Sequence, residues 1–221
     1  MTAERIVVAA LGDSITAGTP RWDPDPDVRQ RIGRNLDERH QWPYWAMRAD
    51  PRLDIRNHGV NRERTDEIAQ RLQAATAGAD TLVIQAGIND LVQGRTPQSA
   101  VAAIREMTLR GLDLDLGVIV AEVLPWNNGY PRGERPIRQL NELLHALAEA
   151  ERVGVVPFYA AVEDPTRPGR MRENWTDDGN HPSLAGHRRL GEMAASTLSP
   201  YSRRPDPGGG GHAVGLSCTP P

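Results

Sequence analysis

Short runs of apolar residues alternate with amphipathic segments along this chain. The first run, at residues 6–11, is rich in β-branched side chains and ends at Gly12, and four further runs follow at residues 53–57, 81–86, 117–124 and 153–158. Runs that are continuous rather than alternating are typical of parallel strands that are covered on both faces. The pattern therefore predicts a sheet of about five parallel strands.

The segments between these runs have helical periodicity. Thr65 is predicted to cap a helix whose apolar positions repeat at helical spacing through residue 75. Thr96-Pro97 is typical of a helix start, and a last helix is predicted at residues 183–198. Strands that alternate with helices in this way predict a doubly wound α/β sheet.

The composition is that of an ordinary soluble domain, predicted at residues 1–202. The net charge of -3 provides no general attraction to nucleic acid. All 26 basic residues are arginine, which excludes a lysine nucleophile, and Cys218 is the single cysteine, which excludes a disulfide within the chain and a cysteine-ligated metal site. Residues 203–221 are rich in glycine and proline and are predicted to be a disordered tail.

The beginning of the chain leads directly into the first predicted strand, without an apolar leader. No run approaches the ~18 apolar residues that a membrane-spanning helix needs. The chain as given is therefore expected to be cytoplasmic and not integrated into a membrane.

A carboxylate stands three residues before a histidine in Asp178-Gly179-Asn180-His181-Pro182, just before the last predicted helix. In a tight turn, this spacing lets Asp178 hold one imidazole nitrogen of His181 while the other nitrogen accepts a proton from a nucleophile. Asp177, with an offset of four, is the second choice for the acid. Taken alone, the pair is equally typical of a polar loop.

A serine that such a pair could activate follows the first strand, in Gly12-Asp13-Ser14-Ile15-Thr16. A serine hydroxyl becomes a good nucleophile only when an adjacent base takes its proton. A helix would normally begin in this turn, so backbone N–H groups can face the Ser14 oxygen. Taken alone, Ser14 could equally be a plain helix N-cap.

Gly59 and Asn89 lie where two other predicted strands end. They could donate a backbone N–H and an amide N–H to the oxyanion of a tetrahedral intermediate. Because ligands bind outside the carboxyl ends of parallel strands, both residues are expected on the same rim as Ser14. Each could also be a simple turn residue.

These pieces, in this order, resemble the SGNH hydrolases, also called GDSL esterases and lipases. The resemblance covers residues 6–198 and is carried by four blocks, Gly12-Asp13-Ser14-Ile15, Asn57-His58-Gly59, Gly87-Ile88-Asn89-Asp90 and Asp178-Gly179-Asn180-His181-Pro182. The second block departs from the family pattern, because Asn61-Arg62-Glu63-Arg64 stands where many members have a second glycine.

The resemblance implies a three-layer α/β/α, flavodoxin-like fold and ester hydrolysis through an acyl-enzyme on Ser14, with no metal ion and no organic cofactor. His181 would transfer the proton and Asp178 would orient His181. The backbone N–H groups of Ser14 and Gly59, with the Asn89 side chain, would bind the oxyanion.

Three tryptophans lie in loops that are expected at the active-site rim, namely Trp22, Trp126 and Trp175. An exposed indole can stack on a sugar or line an acyl slot, although local packing of the loops explains the three residues equally well. The hypothesis is a short acyl group on a small polar or carbohydrate-like alcohol, so the expected partner is a small-molecule ester.

Other functions remain open. A lysophospholipase, a thioesterase or an acyltransferase would use the same three residues. A non-catalytic flavodoxin-like binding module would share the sheet, but the chain has neither G-x-G-x-x-G nor G-x-x-x-x-G-K-[ST]. An α/β-hydrolase would carry G-x-S-x-G, which is also absent.

Overall fold

Five parallel strands form the central sheet of the protein, of which a computed structural model describes residues 5–199. The strands are Ile6–Gly12 (β1), Leu53–Gly59 (β2), Thr81–Gln85 (β3), Gly117–Ala121 (β4) and Gly154–Val156 (β5). They are hydrogen-bonded in the order β2-β1-β3-β4-β5, and every pairing is parallel. This is the flavodoxin-like order, so the predicted doubly wound sheet is confirmed. The predicted tail at residues 203–221 lies outside the described residues.

Helices cover both faces of this sheet. The α-helices of the described residues are Ser14–Ala17 (α1), Pro26–Ile32 (α2), Trp42–Ala49 (α3), Thr65–Gln70 (α4), Leu72–Ala75 (α5), Ile88–Val92 (α6), Pro97–Asp113 (α7), Glu134–Glu151 (α8), Phe158–Val162 (α9) and Leu184–Leu198 (α10). Helices α3, α9 and α10 pack on one face, and α4, α5, α7 and α8 pack on the other. Within residues 5–199, no helix has the length and apolar character needed to cross a membrane.

Alternate side chains of β1 enter two separate cores. Val8 and Ala10 pack among the residues of α3, α9 and α10, whereas Ala9 and Leu11 pack among those of α4, α7 and α8. All four side chains are fully buried. The strand is therefore apolar at every position, which is why its sequence shows a continuous run rather than an alternation.

Two predicted boundaries differ from the structure because side chains bind the backbone there. Thr65 is the first residue of α4 and not its cap, and its hydroxyl donates to Asp90 at 2.8 Å. Strand β4 ends earlier than predicted, since the N–H and carbonyl groups of Val123 bond to the side chain of Asn141 at 2.8 and 2.9 Å. The chain thus leaves the sheet before it reaches the loop that borders the site.

Candidate active site

Ser14 is the first residue of α1, and we call residues 12–17, which include the end of β1 and the short helix α1, the nucleophile turn. Asp13 caps α1 by accepting a backbone N–H of its first turn at 2.9 Å. A Cβ at Gly12 would collide with the hydroxyl of Thr16, so only glycine fits there. Ser14 is 6% exposed and lines a cavity. Its hydroxyl is therefore held by a packed turn and still open to a ligand.

Asp13 is fully buried under the nucleophile turn. Burial raises the pKa of its carboxyl to about 6, against the lowering effects of the Ile15 N–H, the Gln85 side chain and the charge of His181. The Asp13 carboxyl therefore keeps its proton to a higher pH than an exposed aspartate does.

His181 and Asp178 lie in residues 176–182, directly before α10, which we call the acid–base loop. His181 Nδ1 is 2.8 Å from Asp178 Oδ2, and His181 Nε2 is 3.2 Å from Ser14 Oγ. The other oxygen of Asp178 accepts the backbone N–H groups of Asn180 and His181 at 2.8 and 2.7 Å. The structure thus brings a serine, a histidine and a carboxylate into one chain of contacts.

Asp178, and not its neighbour Asp177, contacts the imidazole of His181. The carboxylate of Asp177 lies 3.5 Å from His40 Nε2. Burial acts to raise the pKa of Asp178, but the hydrogen bonds from His181 and from two backbone N–H groups outweigh it and hold this pKa below its ordinary value. Asp178 is therefore ionised at neutral pH and attracts an imidazolium.

Asn89 lies in α6, directly after β3, and lines the cavity in front of Ser14. Its side-chain amide donates to the backbone oxygen of Glu63 at 2.9 Å. Because a primary amide has two N–H donors, this bond orients the side chain and leaves the second donor for a ligand.

Gly59 does not fit the sequence expectation of an oxyanion donor. Its N–H donates to Asn57 Oδ1 at 2.9 Å, and it borders a neighbouring cavity instead of the one that contains Ser14. A Cβ here would fall on the backbone of Ala17. Gly59 is glycine because the end of β2 packs backbone against backbone on the nucleophile turn.

Arg62 is a site residue that the sequence analysis missed. It lines the cavity with Ser14, and its φ of 71° lies in the left-handed region that favours glycine. Among residues 5–199, its backbone N–H has no hydrogen-bond acceptor. The sequence did contain a signal for Arg62, because it lies in residues 61–64, where many family members have a second glycine. Its left-handed backbone is the conformation that favours glycine.

The cavity in front of Ser14 has a volume of about 210 Å³ and an apolar side. This side is formed by Ile88, Val92 and Trp126, which also border an adjoining groove of about 610 Å³. The groove continues past Tyr130. An apolar surface therefore leads from the nucleophile to the outside of the protein.

The opposite side of the cavity is polar. Asn61 borders both the Ser14 cavity and a second cavity of about 430 Å³, whose wall includes Asp23, Arg31 and His58. Asp23 is 4% exposed, and His58 Nε2 is buried with no partner within residues 5–199. Burial, followed by the charges of nearby arginines, lowers the pKa of His58. The second cavity thus offers donors and acceptors to a polar group.

Of the three tryptophans that were predicted to line the site, Trp126 borders the Ser14 cavity. The indole of Trp22 lies under the guanidinium of Arg29 at 4.9 Å, and that of Trp175 lies under Arg172 at 4.6 Å. In the described structure neither of these two rings reaches the cavity wall. Local packing against arginine, the alternative that the sequence left open, accounts for both.

Acid and imidazole groups near the rim are paired with one another. Glu122 lies 2.7 Å from His145, and Asp37 and Asp177 each lie 3.5 Å from His40. Within residues 5–199, no group of three or more His, Cys, Asp or Glu side chains is arranged to hold a metal ion.

A family model and a curated protein match this sequence. The model of the GDSL-like lipase/acylhydrolase family matches residues 10–189, which contain Ser14, Asp178 and His181. The uncharacterized protein YpmR of Bacillus subtilis (strain 168) is 31% identical over 100 residues, which make up 42% of this chain and 34% of that protein. The match thus spans about a third of the length of this curated relative.

Solved structures share the fold over nearly all of their length. A putative lipolytic protein of the G-D-S-L family from Desulfitobacterium hafniense DCB-2 has a TM-score of 0.72 at 20% identity, covering 88% of this chain and all of that one. TesA has a TM-score of 0.68 at 24% identity, covering 88% and 99%. A mutant of Axe2, an acetyl-xylooligosaccharide esterase from Geobacillus Stearmophilus, has a TM-score of 0.69 at 19% identity, covering 92% and 98%.

Proposed function

We propose that this chain, which belongs to the GDSL-like lipase/acylhydrolase family, is a serine ester hydrolase that cleaves carboxylic esters through an acyl-enzyme on Ser14. The observation that carries the proposal is the chain of contacts from Ser14 Oγ to His181 at 3.2 Å and from His181 to Asp178 at 2.8 Å, at the wall of a cavity. Nucleophile, base and orienting acid are thus already within reach of one another.

The proposed reaction has two halves. Ser14 Oγ bonds to the carbonyl carbon while His181 Nε2 takes its proton, and the ionised Asp178 stabilises the imidazolium. His181 then gives the proton to the alcohol oxygen as the carbon–oxygen bond breaks, which leaves the acyl group on Ser14. A water molecule next attacks this acyl group with His181 as base and releases the acid.

Three N–H donors are proposed to bind the oxyanion. The N–H of Ser14 is at the first position of α1 and so has no acceptor within that helix. Asn89 and Arg62 line the same cavity, and the backbone N–H of Arg62 has no acceptor within residues 5–199. Arg62 takes the part that the sequence analysis assigned to Gly59, and donors placed in advance stabilise the transition state without reorganisation.

The direct test is Ser14→Ala, assayed with p-nitrophenyl acetate. We expect kcat to fall by about 10³–10⁶-fold, since the nucleophile is lost while the fold is kept. Ser99→Ala, an exposed serine in α7, is the matched control and should keep full activity. A fluorophosphonate probe should label the wild type and Ser99→Ala, but not Ser14→Ala. Near-full turnover by Ser14→Ala would overturn the proposal.

For the substrate, we propose a short acyl group on a small polar or carbohydrate-like alcohol. The polar cavity that adjoins the Ser14 cavity at Asn61 supports this, because Asp23, Arg31 and His58 could bind hydroxyl groups of the leaving alcohol. Acetylated sugars should be cleaved better than ethyl acetate, and Arg31→Ala should raise KM for the sugar esters but not for ethyl acetate. Equal KM values in wild type and Arg31→Ala would contradict this assignment.

A thioesterase or lysophospholipase is the second candidate, favoured by the apolar surface of Ile88, Val92 and Trp126. If a longer acyl chain lies there, kcat/KM should rise about fourfold for each added methylene, from about 0.8 kcal/mol of burial. A series of p-nitrophenyl esters separates the candidates, because a preference for acyl chains of about eight carbons or more would replace the short-acyl proposal.

A further inference from the structure

A second loop holds the acid–base loop from outside the Ser–His–Asp contacts. It comprises residues 126–129, which leave β4 and contain the 3₁₀ turn Asn127–Gly129, and we call it the bracing loop. The side-chain amide of Asn128 donates to the backbone oxygen of Asp178 at 2.7 Å and to Asn180 Oδ1 at 2.9 Å. The backbone N–H of Asn128 donates to the carbonyl of Gly179 at 3.2 Å.

We propose that Asn128 is a positioning residue, which holds the acid–base loop where His181 can reach Ser14. The inference rests on the proposed function, and it assigns to Asn128 a part in the reaction without contact to the substrate. Three bonds from one residue to three consecutive residues of the acid–base loop carry it.

The acid–base loop has little packing of its own. The side chain of Asp178 is 40% exposed, and Asn180 is also exposed. Inside the loop, the hydroxyl of Thr176 accepts the Gly179 N–H at 2.9 Å and donates to the His181 carbonyl at 2.8 Å. Such internal bonds maintain the shape of the loop but do not fix its place relative to the sheet. The bonds from Asn128 supply that link, because the residues that join β4 to the bracing loop, 122–125, are buried.

The fit between the two loops determines which way the Asn128 amide points. Gly179 has a φ of 80°, and a Cβ there would collide with Asn128 Oδ1, so the two loops are in close contact. The amide nitrogen then faces two acceptor oxygens, the carbonyl of Asp178 and the side-chain oxygen of Asn180. The same Asn180 oxygen also accepts the indole N–H of Trp126 at 2.6 Å.

A pair of substitutions separates positioning from packing. Asn128→Asp keeps the shape of the side chain but turns a carboxylate oxygen toward two acceptors, whereas Asn128→Ala removes the two side-chain bonds without repulsion. The backbone bond to Gly179 is kept in both variants. Since each bond contributes modestly and repulsion adds to its loss, we expect kcat/KM to fall about tenfold in Asn128→Ala and further in Asn128→Asp. A packing role predicts the opposite order, because aspartate fills the space better than alanine.

Asn127 offers a matched control in the same 3₁₀ turn, because its side chain bonds to the backbone of Met171 at 2.7 and 2.9 Å and not to the acid–base loop. Asn127→Ala and Asn127→Asp should stay within about twofold of the wild type in kcat/KM. Thermal unfolding by circular dichroism checks that all four variants remain folded at the assay temperature.

The rate at which a fluorophosphonate labels Ser14 is the deciding readout. We expect rapid labelling in the wild type and in both Asn127 variants, slower labelling in Asn128→Ala and the slowest in Asn128→Asp. Equal rates in all proteins would overturn the role of Asn128 and leave the proposed function intact. Equal losses in the Asn127 and Asn128 variants would also overturn it. A wild type that is not labelled at all would instead mean that the proposed function itself has failed.

Discussion

The nucleophile turn and the acid–base loop meet at the contact between Ser14 and His181, but different forces hold them. The nucleophile turn is packed so closely that neither Gly12, which is part of it, nor Gly59, which lies against it, has room for a Cβ. The acid–base loop exposes 40% of the Asp178 side chain and depends on hydrogen bonds from the bracing loop. The nucleophile is thus placed by steric exclusion, whereas the base is placed by a few directional bonds.

Each of the two regions also has a buried titratable group, and burial shifts the pKa values of these two groups in opposite directions. Burial raises the pKa of Asp13 under the nucleophile turn from 3.8 to about 6. Burial, followed by the charges of His40 and His181, lowers the pKa of His187 from 6.5 to about 3. His187 belongs to α10, and its ring lies 6.2 Å from that of His40, which in turn contacts the acid–base loop at Asp177.

The sign of each effect follows from which state binds the proton more tightly. Folded Asp13 binds a proton more tightly than the unfolded chain does, so its contribution to stability is present below about pH 4 and is lost as the pH rises toward 6. Folded His187 binds a proton less tightly, so stability is lost as the pH falls from 6.5 toward 3. A fall in pH therefore destabilises the folded surroundings of His187, which support the acid–base loop. The same fall stabilises the folded surroundings of Asp13 in the nucleophile turn.

The largest effect on stability is expected for Gly59→Ala, which disrupts the close packing of the nucleophile turn. The new methyl group would overlap the backbone of Ala17, so we expect a loss of about 3 kcal/mol in the free energy of unfolding. Gly94→Ala is the control, because its Cβ would meet open space and costs only the left-handed backbone, about 1 kcal/mol. Urea unfolding followed by tryptophan fluorescence measures both, and equal losses would contradict steric placement of the nucleophile.

A smaller effect is expected for His187→Leu, which tests the support of the acid–base loop. Because leucine cannot take up the proton that unfolded histidine binds, we expect the variant to gain about 2 kcal/mol over the wild type between pH 7 and pH 5. The measurement is the free energy of urea unfolding at both pH values. A difference between the two proteins that does not change with pH would show that His187 is not the titrating group.

The smallest effect is expected for Trp126→Phe, which removes one bond to Asn180 and keeps an aromatic ring at the cavity wall. Since the bonds from Asn128 remain, we expect kcat/KM to fall only about threefold, with little change in the melting temperature. Trp22→Phe is the control, because that ring lies against Arg29 and away from the cavity. A loss as large as that of Asn128→Asp would shift the main support of the acid–base loop from Asn128 to Trp126.

The strands and the last helix were predictable because their signals are local. Buried parallel strands are continuous apolar runs, and Ser183 caps α10 as its residue type and place suggest. The divided helix of α4 and α5 was missed, because its apolar spacing continues across the break at Arg71. A break of this kind depends on contacts with β2 and the nucleophile turn, since Arg71 donates to the carbonyl groups of His58 and Gly12.

The candidate site was predictable only in part, and Gly59 shows why. A glycine at the end of a strand can donate its N–H to a ligand or can allow close packing of two backbones. These two roles differ only in which atoms lie opposite the glycine. Asn57 and Ala17 occupy the space around Gly59, whereas Arg62 lines the cavity and its N–H has no acceptor within residues 5–199. The tryptophans show the same limit, because the surroundings of an indole are not encoded near it in the chain.

Short motifs and hydrophobic periodicity were enough to predict the order of the elements, the family and the residue types that could carry a Ser–His–Asp reaction. The tertiary structure decided that Asp178 rather than Asp177 meets His181, that Arg62 replaces Gly59 at the cavity, and that Asn128 contacts the acid–base loop. Hydrogen bonds and steric exclusion act over a few ångströms between residues that lie far apart in the chain, as the sequence separation of 50 between Asn128 and Asp178 illustrates.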